Sequence, residues 1–245
     1  MTPDTLIVPP KYCGPSQTGN GGYVAGLLAA HLPGPVTVRL VKGVPLDVQM
    51  RVETNGDGLR LLLGDTLIAT ARQSSLDLQP PAAPSFAEAE AASRTFFGHE
   101  RHVFARCFVC GTDRQPGDGL RIHPGAIPSR SLVAGPWVPH DSLADTTGHV
   151  RPEFLWATLE CTGGVALFPQ LVVMGELTGR IDGTLRPGER CVSAGWQIGQ
   201  DGRKYYAGTA LFGEDGRAVS VGHATWIEIS KDAFKTLVRT GKSGT

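Results

Sequence analysis

Two stretches interrupt the apolar–polar alternation that runs through most of this chain. Residues 151–168, RPEFLWATLECTGGVALF, are apolar on nearly every side of a helical wheel. That pattern predicts a buried helix rather than an amphipathic one. Pro152 fits the first turn, where its missing N–H costs nothing, and Pro169 ends the run. A second apolar run, residues 23–32, opens on Asn20-Gly21-Gly22 and closes on Pro33-Gly34-Pro35, predicting another helix. Elsewhere the alternation predicts strands: a short edge strand at 6–8, then 36–41, 47–53, 59–63 and 67–72, and later 120–123, 132–137, 172–181, 190–198, 203–212 and 217–227. Asn55-Gly56-Asp57-Gly58, Gly64-Asp65, Asp201-Gly202 and Asp215-Gly216 fall where hairpin turns belong.

The order helix, then antiparallel meander, occurs twice. Setting Asn20 against Arg151 superposes the two copies, an offset of just over half the 245 residues. The similarity is one of pattern, and it predicts an α+β protein made of a duplicated unit. The expected divisions are an N-terminal unit at 1–75, a linker or insert at 76–118, a C-terminal unit at 119–230 and a tail at 231–245. Pro80-Pro81-Ala82-Ala83-Pro84 reads as linker, residues 86–93 as a short helix, and 111–119 as turns.

Composition narrows the classes. Lys and Arg total 23 and Asp and Glu 23, so nothing in the charge points to nucleic acid or to an anionic membrane surface. The 151–168 run is marginal in length for a membrane span, and Glu160 with the Gly163-Gly164 pair argues against one. No charged and apolar leader opens the chain, and the five cysteines have irregular spacing, so a cytoplasmic protein with free thiols is expected.

Candidate chemistry concentrates on the two helices. Glu160 is the one ionisable group in the middle of the longer run, and no Lys or Arg lies within a helical turn of it. An unpaired carboxylate in apolar surroundings titrates high, which suits an acid or base; the alternative is a buried Glu tied to backbone N–H groups or to a distant Arg. Ala157, Gly163 and Gly164 leave space one turn away. At the other helix, Gly21-Gly22 exposes backbone N–H groups where the helix dipole favours negative charge, although a plain flexible turn has the same composition. Cys107-Phe108-Val109-Cys110 lies near His99 and His102, but the spacing matches no zinc module, so no metal is expected.

A buried helix opening on a Gly pair and followed by a long meander resembles the hotdog fold of acyl-CoA thioesterases. NGGYVAGLLAAHL with VTVRLVKGVPLDVQMRV resembles the helix and next strand of these enzymes, and ATLECTGG resembles PaaI-like members with an acidic residue on the helix. The resemblance covers most of the chain outside the insert and implies a double hotdog: two long buried helices wrapped by one continuous antiparallel sheet. In the family a His-Gly-Gly-like turn precedes the acid by nine residues. Here copy one keeps the turn as Asn20-Gly21-Gly22 but has Ala29 at the acid position. Copy two keeps the acid as Glu160 but has Arg151-Pro152-Glu153 for the turn. Family sites form between two units, so the resemblance implies one complete site, Gly21 with Glu160, and one degenerate site, Pro152 with Ala29.

The activity that this resemblance implies is thioester hydrolysis without a cofactor, on acyl-CoA or another thioester. Gly21 would donate its N–H to the oxyanion, Glu160 would act as base or nucleophile, and Asn20 would hydrogen-bond the carbonyl or the water. Gly22, Tyr23, Trp156, Ala157, Gly163 and Gly164 are the residues expected around the substrate, and Arg203-Lys204 is a candidate for coenzyme A phosphates. The resemblance is compatible with a homodimer of such units. It also leaves a non-catalytic acyl-CoA or lipid binder, and an enoyl-CoA hydratase, for which His31 stands at the wrong end of its helix.

Overall fold

The computed structural model describes residues 5–240; the first four residues of the expected N-terminal unit and the last five of the tail lie outside the described residues. The chain begins with β1 (Thr5–Leu6) and α1 (Gly21–Ala29), then β2 (Val36–Leu40), β3 (Met50–Asn55), β4 (Gly58–Leu63) and β5 (Thr66–Gln73). The insert holds α2 (Phe86–Ser93) and α3 (Gly98–Arg101). Next come β6 (Gly125–Ile127), β7 (Leu132–Trp137), α4 (Pro152–Val165), β8 (Val172–Ile181), β9 (Cys191–Asp201), β10 (Lys204–Phe212), β11 (Ala218–Glu228) and α5 (Lys231–Thr240).

All strands join one eleven-stranded sheet in the order β1-β3-β4-β5-β2-β8-β11-β10-β9-β7-β6, and every strand pair in it is antiparallel. Outward from the centre, each half places the strand after its helix first, then its last strand, then the middle ones, and finally what precedes the helix: β1 in the first half, β7 and β6 in the second. The central β2–β8 pair sets Thr37 opposite Thr178, and their hydroxyls hydrogen-bond at 2.8 Å. The duplicated pattern in the sequence is thus a duplicated strand order in space.

Both apolar helices are buried, and they pack directly on each other. Asn20 caps α1: its side-chain Oδ1 accepts the Tyr23 N–H at 2.9 Å. A Cβ added to Gly22 would lie 2.8 Å from Trp156 O, and one at Gly26 would lie 2.6 Å from Glu153 Cα. Only glycine allows backbones this close. Because Gly22 meets residues 156–160 while Gly26 meets 153–156, the helices run antiparallel. Leu28, Phe154, Leu155 and Leu159 are fully buried between the helices and the sheet, at about 1.5–3 kcal/mol each. At nine residues α1 is not the long helix expected; its last turn loosens through Ala30 and His31 before Pro33.

One further expectation is corrected, and two segments carry more structure than the pattern indicated. The segment around the Pro-rich linker is packed: Leu76, Leu78 and Ala83 lie with α2 against a cluster of Leu132, Val192, Ala210 and Phe212, and Arg180 donates to Leu76 O at 2.6 Å. Residues 120–123 form no strand, because that segment hydrogen-bonds back to the insert through Leu120 N–H to Phe108 O and Ile122 N–H to Val109 O. The tail contains α5, while α2 spans the expected 86–93 behind a Ser85–Glu88 capping box.

Candidate active site

The antiparallel crossing brings the N-terminus of α1 onto the middle of α4. Glu160, 7% exposed, extends its carboxylate over the first turn of α1, and its Oε2 accepts the Gly22 N–H at 2.9 Å. A Cβ at Gly21 would lie 3.1 Å from Glu160 Oε1. The two halves of the site inferred from the sequence therefore touch across helices, 138 residues apart in the chain.

Burial pushes the Glu160 carboxyl up to about 8, and the charge of the nearby Cys107 thiol adds to the shift. The Gly22 N–H, the Asn20 side chain and the Gly21 N–H act in the opposite sense, favouring the anion. Asn20 is fully buried, and its Nδ2 has no hydrogen-bond partner of ordinary geometry, although it lies close enough to act on Glu160. A buried amide donor left open beside a carboxylate is a place for a water or a carbonyl oxygen.

The remaining expected residues divide. Ala157 belongs to the helix crossing, its Cα 3.0 Å from where a Gly22 Cβ would be. Tyr23 faces away into an aromatic core, stacked on Tyr12 at 4.2 Å and beside Phe154. Gly163 and Gly164 do make room, but the Trp226 indole fills it, with a Gly164 Cβ falling 2.8 Å from that ring. Trp156 lies at the opposite end, covering Gly179 of β8. There it lines a cavity of about 300 Å³ with Gly26, Ala29, Pro152 and Arg180. The degenerate pair, Ala29 and Pro152, is thus brought together as well. Arg203 donates to Glu228 O at 3.0 Å near the β9–β10 hairpin.

Sequence reasoning missed three neighbours of the site. Met174 Cε and Leu40 Cδ1 lie 2.6 and 2.8 Å from a Gly21 Cβ position, covering that residue's flank; they come from separate strands and leave no local signal. The third is Cys161, adjacent to Glu160, whose Sγ lies 3.6 Å from that of Cys107. The histidines near the cysteine pair in sequence gather around Phe96 together with His123, and His102 also lies close enough to the Cys107–Cys110 turn to act on it.

No protein-family model matches the chain, nor does any curated protein. Solved structures do. A conserved protein of unknown function with a hot dog fold from Alicyclobacillus acidocaldarius aligns over 92% of both chains at TM-score 0.51 and 11% identity. The chain has a hotdog fold. Two further neighbours carry functional names. A candidate thioesterase from Novosphingobium aromaticivorans has TM-score 0.60 and 12% identity over 92% of this chain and 95% of that one. The tesB protein of Mycobacterium avium subs paratuberculosis has TM-score 0.58 and 12% identity over 92% of each. The similarity extends over nearly all of the chain.

Proposed function

We propose that this protein is an acyl-CoA thioesterase with one working site, built where the α1 N-terminus of one hotdog half, residues 1–75, meets α4 of the other, residues 119–230. One observation carries the reading: a buried carboxylate, Glu160, hydrogen-bonded across helices to the glycine turn that opens α1. Names given to the fold neighbours agree with it.

In this reading the thioester carbonyl oxygen takes the Gly21 N–H. The helix dipole and the Asn20 amide add to the stabilisation of the oxyanion. Glu160 removes a proton from water, whose oxygen attacks the carbonyl carbon; the tetrahedral intermediate then expels the thiolate and leaves the carboxylic acid. By the alternative route Glu160 attacks directly, and water opens the resulting anhydride. Single turnover in ¹⁸O-water separates the routes, because only the anhydride route can leave label in Glu160. The acyl group reaches Gly21 by displacing Met174, a side chain with three rotatable bonds.

A second reading, an acyl-CoA binder with a structural Glu160, is favoured by the packed flank of Gly21 and by the Gly22 N–H already being occupied. A hydrolysis screen over acyl-CoA chain lengths and aryl-CoAs decides between them. Release of free coenzyme A thiol is expected. Binding of the same compounds without turnover would favour the binder.

A further inference from the structure

Beside Glu160 is a group of side chains that hydrolysis does not use. The Sγ atoms of Cys107, Cys110 and Cys161 lie within 4.8 Å of one another; the first two are buried and the third half-buried. All three are free thiols. The 3.6 Å between Cys107 and Cys161 sulfurs is far beyond a disulfide bond. It is instead close to the roughly 3.8 Å that separates two sulfurs bound at about 2.3 Å to a tetrahedral zinc ion.

The backbone around the pair is shaped as a metal knuckle. The Gly111 N–H closes the turn onto Cys107 O at 2.9 Å, and a Cβ at Gly111 would collide with the Cys107 and Ala105 carbonyl oxygens. Cys-x-x-Cys-Gly is therefore held in a turn that keeps its two sulfurs within 4.8 Å of each other. Docking of the insert then supplies a third sulfur from α4. The turn is fixed on both flanks, by Phe108 N–H to Cys13 O at 2.7 Å and Ile122 N–H to Val109 O at 2.9 Å.

We propose that Cys107, Cys110 and Cys161 bind one zinc ion through three thiolates, with water in the fourth position. Soft sulfur donors in tetrahedral array select zinc among the common divalent ions. Each thiol that ligates gives its proton to solvent. Glu160 stays on the Gly22 N–H, and the ion pins the insert to the helix that carries the catalytic carboxylate. The sequence-based expectation of no metal rested on the Cys107–Cys110 pair and its nearby histidines; the third thiol comes from a residue 54 positions away.

The test is elemental analysis of protein purified without chelator, followed by Co²⁺ titration of the metal-stripped protein. One zinc per chain is expected, together with a thiolate-to-cobalt charge-transfer band that saturates at one equivalent. Cys161→Ser and Cys110→Ser should lose both signals, while Cys191→Ser, remote from the cluster, should keep them. Glu160→Gln should keep its zinc whether or not the wild type hydrolyses thioesters, so the metal site and the thioesterase reading fail separately. Wild-type protein without zinc and without a cobalt charge-transfer band would overturn the proposal. So would cysteines that titrate with a thiol reagent at the same rate with and without added zinc.

Discussion

The two ends of the α1–α4 pair are built alike and equipped differently. At one end Gly21 holds the first position of α1 and faces Glu160; at the other Pro152 holds the first position of α4 and shares a cavity with Ala29. Antiparallel packing on glycine forces each N-terminus against the other helix. The geometry for a composite site therefore arises twice. In the proposed function chemistry is present once, because only the first end has both a backbone donor and a carboxylate. Pro152 has no N–H to offer, and Ala29 has no group that titrates. The difference teaches that paired architecture does not require paired chemistry: the same crossing places a carboxylate against a glycine turn at one end and a proline against an alanine at the other.

The sharpest way to break this comparison is to make the first end like the second. Gly21→Pro should fold, since proline is accepted at a first helical position, as Pro152 shows, and the atoms its Cβ meets most closely are the movable ends of Met174 and Leu40. It deletes the oxyanion donor and should lower kcat about 10²–10³-fold, roughly 2.7–4 kcal/mol. Steady-state kinetics on the best substrate of the screen, with thermal unfolding as control, would check this. Gly26→Leu tests the crossing shared by both ends. Its side chain would enter the space held by the Glu153 backbone, so urea denaturation should report a loss of about 1–3 kcal/mol.

A third prediction concerns acid stability beside the site. Burial lowers His123 from 6.5 to about 4, and the charges of His99, Arg121 and His102 add to the shift, against a Gly111 backbone hydrogen bond. Between pH 6.5 and 4 the unfolded chain therefore binds the extra proton, and stability must fall as pH falls through that window. His123→Phe should remove on the order of 1–2 kcal/mol of this loss after solvent screening of a half-buried ring. An unchanged slope of melting temperature against pH would refute it. The smallest effects belong to the second end: Pro152→Gly and Ala29→Ser should leave turnover at the parental value, and a marked loss from either would show that both ends act.

Much of this was legible in the sequence for local reasons. Strand β8 and helix α2 occupy the predicted ranges because a largely apolar run and an Ala/Glu-rich run are each written within a few residues. Facing of Gly21 to Glu160 followed from the offset between the two copies, given the family resemblance. What escaped depends on docking. The space signalled by Gly163 and Gly164 is taken by Trp226 from β11, which no helical spacing can foresee. Cys161 reads as one apolar residue of a buried helix until the insert brings Cys107 to it. Residues 120–123 have a strand-like pattern, yet their hydrogen bonds go to the insert instead of the sheet.

The central claim is that the Glu160 end alone performs hydrolysis. Glu160→Gln keeps the shape and the contact with Gly22 while removing the base, so the most direct measurement is its kcat on an acyl-CoA that the wild type turns over, beside Pro152→Gly in the same assay. With unfolding temperatures matched, the account predicts a fall of roughly 10²–10⁴-fold for Glu160→Gln and none for Pro152→Gly. A folded Glu160→Gln protein that hydrolyses thioesters at the parental rate would contradict it.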